Sequence, residues 1–264
     1  MNKKIIFSTG GTGGHIFPAF NLMKHFFEKG YKVILVTDFR GHNFIKKHSE
    51  YKSYIFKAET PTNKNFIKKI FSIFVIFYSI IRSVVILKRE KPDLIFGFGG
   101  YASFPISFAS KFFNLPLIIY ENNIILGRAN RYLSFFSKRI LVAKKIEKNL
   151  PEKYKKKTHE VGPILNKSIA NFVAPENNNN KENFSILVLG GSQGAKIFGT
   201  IIPPVIKMIK DKGQGIEIIQ QCISNQKNSI IEFYKKNNIK NYVFEFDKNI
   251  LKLISLSNLA ITRC

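Results

Sequence analysis

The sequence predicts an α/β protein of two tandem Rossmann-like units, the second of them incomplete. Three observations carry that prediction. Short, continuously apolar strands alternate with helical stretches, the pattern of a parallel sheet covered on both faces. The order strand, glycine-rich turn, helix, Lys-Gly, strand occurs twice, closing on Lys29-Gly30 and again on Lys212-Gly213. A polar stretch with four consecutive asparagines, residues 177–180, lies between the two copies. The 264 residues suffice for one large domain or two small ones. The boundaries read as 1–163 for the first unit, 164–183 for a linker and 184–264 for the second.

The elements follow in order. Residues 3–8 are β-branched and apolar and read as the first strand, running into Thr9-Gly10-Gly11-Thr12-Gly13-Gly14-His15. Phe17, Phe20, Leu22, Met23 and Phe26 then mark one face of a helix that stops at Gly30. Further strands read at 31–37, 54–57, 93–96, 116–120 and 139–143, with helices over 66–89, 102–113 and 127–136 between them. After the asparagine run come a strand at 184–189, the turn Gly190-Gly191-Ser192-Gln193-Gly194-Ala195-Lys196, a helix to about 210 and a strand at 216–220. Only a strand at 242–246, a helix near 248–256 and a strand at 259–262 remain. A doubly wound unit normally carries more, so the sequence reads as a fragment with negligible activity expected of it alone. A cleft is expected between the units.

Composition excludes several classes. With 45% apolar and 22% charged residues the chain is neither disordered nor a coiled coil. Cys222 and Cys264, far apart and outside any CxxC, suggest neither a disulfide framework nor a zinc site. The apolar part of the N-terminus is too short for a signal peptide, so a cytosolic protein is the default. A net charge of +25 predicts an anionic partner, although the richness in Lys, Ile, Asn and Phe and the lack of Trp also fit a coding bias.

Residues 70–87, IFSIFVIFYSIIRSVVIL, test that default. Their length is at the lower edge of the roughly 17–25 residues of a membrane span. Arg82 in the middle costs about 2.5–3.5 kcal/mol on insertion scales. A buried core helix, a helix lying on an anionic membrane surface and a true span are the open readings. The flanking Lys64, Lys68, Lys69, Lys88 and Arg89, with the aromatics, suit the surface.

The chemistry sits in the glycine loops. In the first, glycines let the backbone approach an anion while free N–H groups at the helix start point toward it. It is not a dinucleotide fingerprint, because Ile16 stands where the third glycine belongs; Asp38 could still mimic the ribose-binding acid. In the second, Ala195 and Ile197 replace the Gly and Ser/Thr of a P-loop, which disfavours an NTPase. His15 at the mouth of the first loop is a candidate general base or hydrogen-bond donor to the phosphate. Gly97-Phe98-Gly99-Gly100-Tyr101-Ala102-Ser103 follows a strand, at the sheet edge where such folds bind ligands. Glu121-Asn122-Asn123 follows the next strand, and Glu121 either lines the same edge or caps the helix after it.

Taken together, residues 10–18 (GGTGGHIFP), Gly99-Gly100-Tyr101, Glu121-Asn122-Asn123 and residues 190–195 (GGSQGA) resemble the MurG family of peptidoglycan N-acetylglucosaminyltransferases, which have the two-Rossmann GT-B fold. Four motifs in the same order make the resemblance specific, and it runs along the whole chain. It implies transfer of GlcNAc from UDP-GlcNAc, with inversion, to the 4-hydroxyl of the muramyl unit of undecaprenyl-pyrophosphoryl-MurNAc-pentapeptide (lipid I), giving lipid II. It implies that Thr12, Gly13, Gly14 and Asn123 meet the donor and that Ser192, with Gln193 beside it, meets the nucleotide diphosphate. His15, Tyr101 and Glu121 then form the acceptor-side and catalytic group, with either His15 or Glu121 as base. The resemblance also places residues 66–89 where the family has its membrane patch, implying a peripheral protein on the cytoplasmic face of the inner membrane. No Asp-x-Asp stands where a cleft would hold magnesium, so neither metal nor cofactor is expected. Two departures matter: Pro163-Ile164-Leu165-Asn166 stands where the family has Asn-Pro-Val-Arg, and the family's later donor motifs have no counterpart before Cys264.

Two other readings are weighed against this one. A different GT-B glycolipid glycosyltransferase, using another nucleotide sugar, would be told apart by the donor loop, which the sequence lacks. A basic α/β nucleic-acid-binding protein would need its cations gathered on one face with stacking aromatics, whereas here they are spread through all segments, so no nucleic acid is expected.

Overall fold

The computed structural model describes residues 3–11, 13–45, 50–57, 66–146, 150–174, 183–191, 195–247 and 249–262. The chain forms two compact units, Met1–Asn166 and Lys167–Cys264.

The first unit runs β1 (Lys4–Ser8), α1 (Gly13–Glu28), β2 (Lys32–Asp38), α2 (Phe39–Ile45), β3 (Lys52–Phe56), α3 (Phe66–Glu90), β4 (Leu94–Gly97), α4 (Phe104–Ala109), β5 (Leu117–Glu121), α5 (Arg128–Leu133), β6 (Arg139–Val142) and β7 (Thr158–Glu160). Its seven strands lie in the order β3-β2-β1-β4-β5-β6-β7, and every pairing is parallel. The central strands are apolar throughout because both faces are buried. Ile6, Val36, Ile95, Ile119 and Ile140 point to one face, where Leu87 and Ile106 cover them. Phe7, Leu35, Phe96 and Phe98 point to the other, against Ile16, Ala19 and Met23 of α1. Phe96 stacks on Phe7 at 6.0 Å and on Phe98 at 5.0 Å. The chain winds outward from β1 to β3, then returns to place β4 on the other side of β1. Beyond the loops that leave β1 and β4, the chain turns to α1 on one face of the sheet and to α4 on the other, a switch point at the carboxyl edge where such folds open a crevice.

The second unit contains α6 (Lys167–Ala170), β8 (Phe184–Leu189), α7 (Lys196–Asp211), β9 (Ile216–Gln221), α8 (Lys227–Lys236), β10 (Lys240–Phe244), α9 (Ile250–Ser255) and β11 (Leu259–Thr262). Its described strands form a parallel sheet in the order β10-β9-β8-β11. Ile186, Val188, Ile202, Ile206, Ile218, Ile230 and Tyr234 make its core. The Tyr234 hydroxyl donates to Gln220 Oε1 at 2.5 Å, and Gln220 Nε2 donates to the Phe198 carbonyl, so this buried polar pair is satisfied.

Several elements differ from the sequence reading for physical reasons. The helix expected over 102–113 is a 3₁₀ turn at Tyr101–Ser103, then α4, then a second 3₁₀ turn at Ser110–Phe113. Pro105 starts the α-helical part, and Asn114 at φ 51° stops the run. The helix expected over 127–136 covers only Arg128–Leu133. The sequence reading missed α8, whose buried stripe is only Ile230 and Tyr234, one turn apart. Strand β10 begins two residues earlier than expected, because Lys240 pairs with Glu217 of β9 at 3.0 Å and hides its strand character.

Helix α3 is 25 residues long, and over most of its length the buried positions are serines while large apolar side chains face outward. Ser72, Ser79, Ser83, Ile86, Leu87 and Glu90 are buried on the side that packs on the domain, with α4 as its main helical neighbour. Ile67, Phe71, Ile73, Phe74, Phe77, Tyr78, Ile81 and Val85 are exposed, Phe74 to 68%. Only 28% of the 18-residue apolar window is buried, so the outward stripe is not a core face, which removes the core-helix reading for it. Residues Lys69–Glu90 are long and apolar enough to cross a membrane by length and composition alone. Arg82 turns aside from the stripe: its Nη1 donates to the Ile55 carbonyl at 3.0 Å and the guanidinium lies over the Phe56 ring. At the helix end, Lys52 Nζ (2.6 Å), Tyr54 OH (2.5 Å) and Lys4 Nζ (3.4 Å) surround the Glu90 carboxylate. Burial pushes the Glu90 carboxyl up, but the Lys52 and Tyr54 hydrogen bonds outweigh it and hold the group at about 2.

Candidate active site

The two glycine loops of the first unit interlock at the carboxyl ends of β1 and β4. Phe98 N–H donates to the Ser8 carbonyl at 2.8 Å and carries the parallel pairing past the strand ends. Asp38 at the end of β2 anchors the first loop: its Oδ2 accepts Gly11 N–H at 2.9 Å and its Oδ1 accepts Gly41 N–H at 2.7 Å. Asp38 is thus a buried loop anchor, which leaves it no free carboxylate edge for a ribose. Gly100 has φ 80°, and a β-carbon there would meet the Gly10 carbonyl oxygen at 2.6 Å. Only glycine allows the two backbones that approach.

Beside this junction lies a cleft of about 160 Å³ lined by His15, Gly99, Gly100, Tyr101, Glu121, Gly127, Arg128, Ala129 and Asn130. His15 enters it as the third residue of α1, just beyond the glycines that start the helix. Gly99, at φ 83°, leaves room for it: a β-carbon there would lie 3.1 Å from His15 Cδ2 and 3.2 Å from Asn130 Nδ2. The imidazole is half-buried, and burial lowers its pKa below the usual 6.5 while the Glu121 charge pulls weakly the other way. At neutral pH His15 is therefore uncharged and able to take a proton. Its Nδ1 is buried and has no hydrogen-bond partner among the described residues.

Glu121 is not in an exposed loop, as its place after a strand suggests, but is 1% exposed at the end of β5. Its Oε1 accepts the Asn123 backbone N–H at 3.1 Å and Asn123 Nδ2 at 2.9 Å. Its Oε2 accepts Gly127 N–H at 2.9 Å and Asn130 Nδ2 at 3.0 Å. Four donors fill the carboxylate, and one of them is the residue that caps α5. Of the two roles open from sequence, the geometry matches the anchor: Glu121 folds the 122–127 turn and starts α5.

The other expected residues fall as follows. Gly13 is buried and Gly14 exposed at the start of α1, Tyr101 lines the cleft, and Asn123 is exposed with its side-chain amide held by Glu121. Thr12, Ser192 and Gln193 lie outside the described residues. In the second unit the Gly190 N–H donates to Gln221 Oε1 at 3.1 Å, and Gly191 has φ 84°. Sequence reasoning missed Arg128 and Asn130. Their only signal is that they follow Gly127 in a helix whose start is set by Glu121, six residues back. It also missed Tyr120, whose hydroxyl receives the Ile164 N–H and reaches the Gly162 carbonyl and Asn122 Oδ1, each at 3.2 Å, tying the end of the unit to β5. Among the described residues no group of three or more His, Cys, Asp or Glu side chains could hold a metal ion.

The Glycosyltransferase family 28 N-terminal domain matches residues 5–142, and the C-terminal domain of the same family matches residues 185–264. The chain belongs to glycosyltransferase family 28. Within it, the chain is 33% identical, over its whole length and 72% of the relative's, to the Pelagibacter ubique UDP-N-acetylglucosamine--N-acetylmuramyl-(pentapeptide) pyrophosphoryl-undecaprenol N-acetylglucosamine transferase. The Rickettsia canadensis protein of that name is 35% identical over 99% of this chain and 73% of its own length. Among solved structures, Acinetobacter baumannii MurG aligns with a TM-score of 0.78 and 24% identity over 98% of this chain and 73% of its own. A glycosyltransferase from Rickettsia africae aligns at 0.66 and 15%, over 98% of this chain and 72% of its own. The family's two-domain α/β fold is the one the sequence predicts, and its members include the transferases that the four motifs resemble.

Proposed function

We propose that this chain transfers GlcNAc from UDP-GlcNAc to the 4-hydroxyl of the muramyl sugar of undecaprenyl-pyrophosphoryl-MurNAc-pentapeptide, with inversion, working from the membrane surface. The observation that carries the reading is the 33–35% identity, along essentially the entire chain, to family members named for that transfer. The cleft supplies the chemistry. Neutral His15 takes the proton of the attacking hydroxyl, a role that contributes about 10²–10⁴-fold. Glu121, filled by four N–H donors, does not compete for that proton; it fixes the turn on which the cleft depends. The departing UDP gathers negative charge, which the glycine turn and helix start of the second unit are suited to meet through N–H groups. Ser192 and Gln193 are assigned to that donor side by their motif. The outward apolar stripe of α3, with Lys69, Lys88 and Arg89 at its ends, fits an anionic lipid surface, which is where the prenyl-linked acceptor resides.

The test is incorporation of labelled GlcNAc into a lipid I analogue with a shortened prenyl chain, with acceptor binding measured in parallel. Incorporation that needs both substrates and is lost in His15→Ala supports the reading. Absence of both incorporation and acceptor binding would overturn it. Turnover near that of a longer family member would remove the expectation of negligible activity drawn from the sequence.

A further inference from the structure

Asn130 is 1% exposed, yet it lines the same cleft as His15. Its two amide hydrogens are both committed: Nδ2 donates to the Tyr120 carbonyl at 3.0 Å and to Glu121 Oε2 at 3.0 Å. That pair of acceptors fixes the orientation of the amide, because the flipped form would set a carbonyl against two oxygens. The consequence is that Oδ1 points away from both partners. It is buried and accepts no hydrogen bond among the described residues. A buried carbonyl left unpaired is costly, and such an atom in a native fold calls for an explanation. An anchoring role explains only half of the side chain. Holding Glu121 and Tyr120 uses Nδ2 and would leave Oδ1 to any harmless surrounding, whereas here the residue sits at the wall of a cleft that His15 also lines, and His15 likewise carries an unpaired buried atom, Nδ1.

We infer that Asn130 is a substrate-contact residue whose Oδ1 accepts a hydrogen bond from a hydroxyl or amide N–H of the acceptor hexosamine seated beside His15. The inference rests on the reading of this cleft as the acceptor site. Asn130 takes no part in proton transfer. It orients the sugar so that the reacting hydroxyl falls to His15, while its other end keeps the cleft wall in place through Glu121. A sugar is the fitting ligand because the position offers an acceptor fixed in direction and without charge, which favours a neutral donor over a phosphate.

The experiment uses the unmodified chain labelled with ¹³Cγ-asparagine, with Asn130 assigned through its backbone. The lipid I analogue with a shortened prenyl chain is titrated in, UDP alone serves as the control, and the His15 ring resonances report whether the analogue reaches the cleft. The expected result is a downfield move of the Asn130 Cγ resonance on saturation with the analogue, as a carbonyl shows when it accepts a hydrogen bond, and no move with UDP. Asn130→Ala should weaken analogue binding about tenfold, as suits one hydrogen bond in a buried site. If His15 responds and Asn130 does not, the inference is overturned: Oδ1 then holds a structural water and Asn130 is an anchor only. If neither responds, the acceptor-site reading fails and takes the inference with it. Because the spectroscopic arm needs no variant, poor folding of Asn130→Ala leaves the question decidable.

Discussion

Replacing Glu121 by Gln separates an anchor from a catalytic base. The carboxylate accepts four N–H groups, two on each oxygen. A glutamine keeps the volume but has one carbonyl oxygen, so it serves one pair of donors and turns its own NH₂ toward the other pair. Two charge-assisted hydrogen bonds are lost, each worth about 1.5–3 kcal/mol. The exposed turn lets water reach some of the released donors, and a net cost of about 3 kcal/mol remains. At roughly 2–4 °C per kcal/mol for a unit of this size, the melting temperature should fall by roughly 6–12 °C. Differential scanning calorimetry measures it, with GlcNAc transfer assayed well below the transition. Transfer should fall in step with disorder of the turn and recover in part when the temperature is lowered. A variant that melts within about 2 °C of the unmodified protein, while transfer drops by orders of magnitude, would sink the argument and return Glu121 to the role of base.

Three further outcomes follow from the structure. His15, held below its ordinary pKa of 6.5 by burial, resists a proton that the unfolded chain accepts; stability should therefore decline as pH falls below 6.5, and His15→Ala should lose that dependence in urea unfolding compared at about pH 7.5 and about pH 5.5. Glu90, held at about 2 against an ordinary 4.5, contributes stability that is complete above the higher value and lost as pH falls toward the lower; Glu90→Gln should cost about 2 kcal/mol at neutral pH, discounted for the half-exposed Lys52, with the gap from the unmodified chain closing in acid. Phe74→Glu with Phe77→Glu should abolish flotation with anionic vesicles while leaving the melting temperature unchanged, since both rings are exposed; retained, salt-resistant flotation would contradict a surface-lying helix.

The sequence made the strands of the first unit legible because parallel strands buried on both faces leave unbroken apolar runs, as in KIIFS and KVILVTD. The glycine loops were equally visible, since close backbone approach admits no other residue. What could not be read was how the loops' polar side chains are spent. Asp38 reads from sequence as a free carboxylate and Glu121 as either a lining group or a cap, yet backbone N–H groups occupy Asp38, and backbone and side-chain amides together occupy Glu121; Asn130, which sequence reasoning missed, is half consumed. That division depends on individual hydrogen bonds, some closed within a turn, such as Asp38 to Gly41 and Glu121 to Gly127, and some across elements, such as Asp38 to Gly11. The α8 stripe failed for a related reason, its two buried residues falling below any usable periodicity.

The stretch of α3 from Ser72 to Ser83 also reverses the usual logic of substitution along a helix. Elsewhere, a polar residue placed at an apolar position threatens the core, and an apolar one at a polar position is harmless. Between Ser72 and Ser83 the buried positions of α3 are serines, so enlarging Ser79 or Ser83 should act as a wedge, while the bulky outward rings carry little of the fold. A substitution table scored on hydropathy would misrank these serines and outward rings, though not the buried Ile86 and Leu87 at the helix end. Sequence drift here should conserve volume on the inner face and leave the outer rings free to change so long as greasiness is kept.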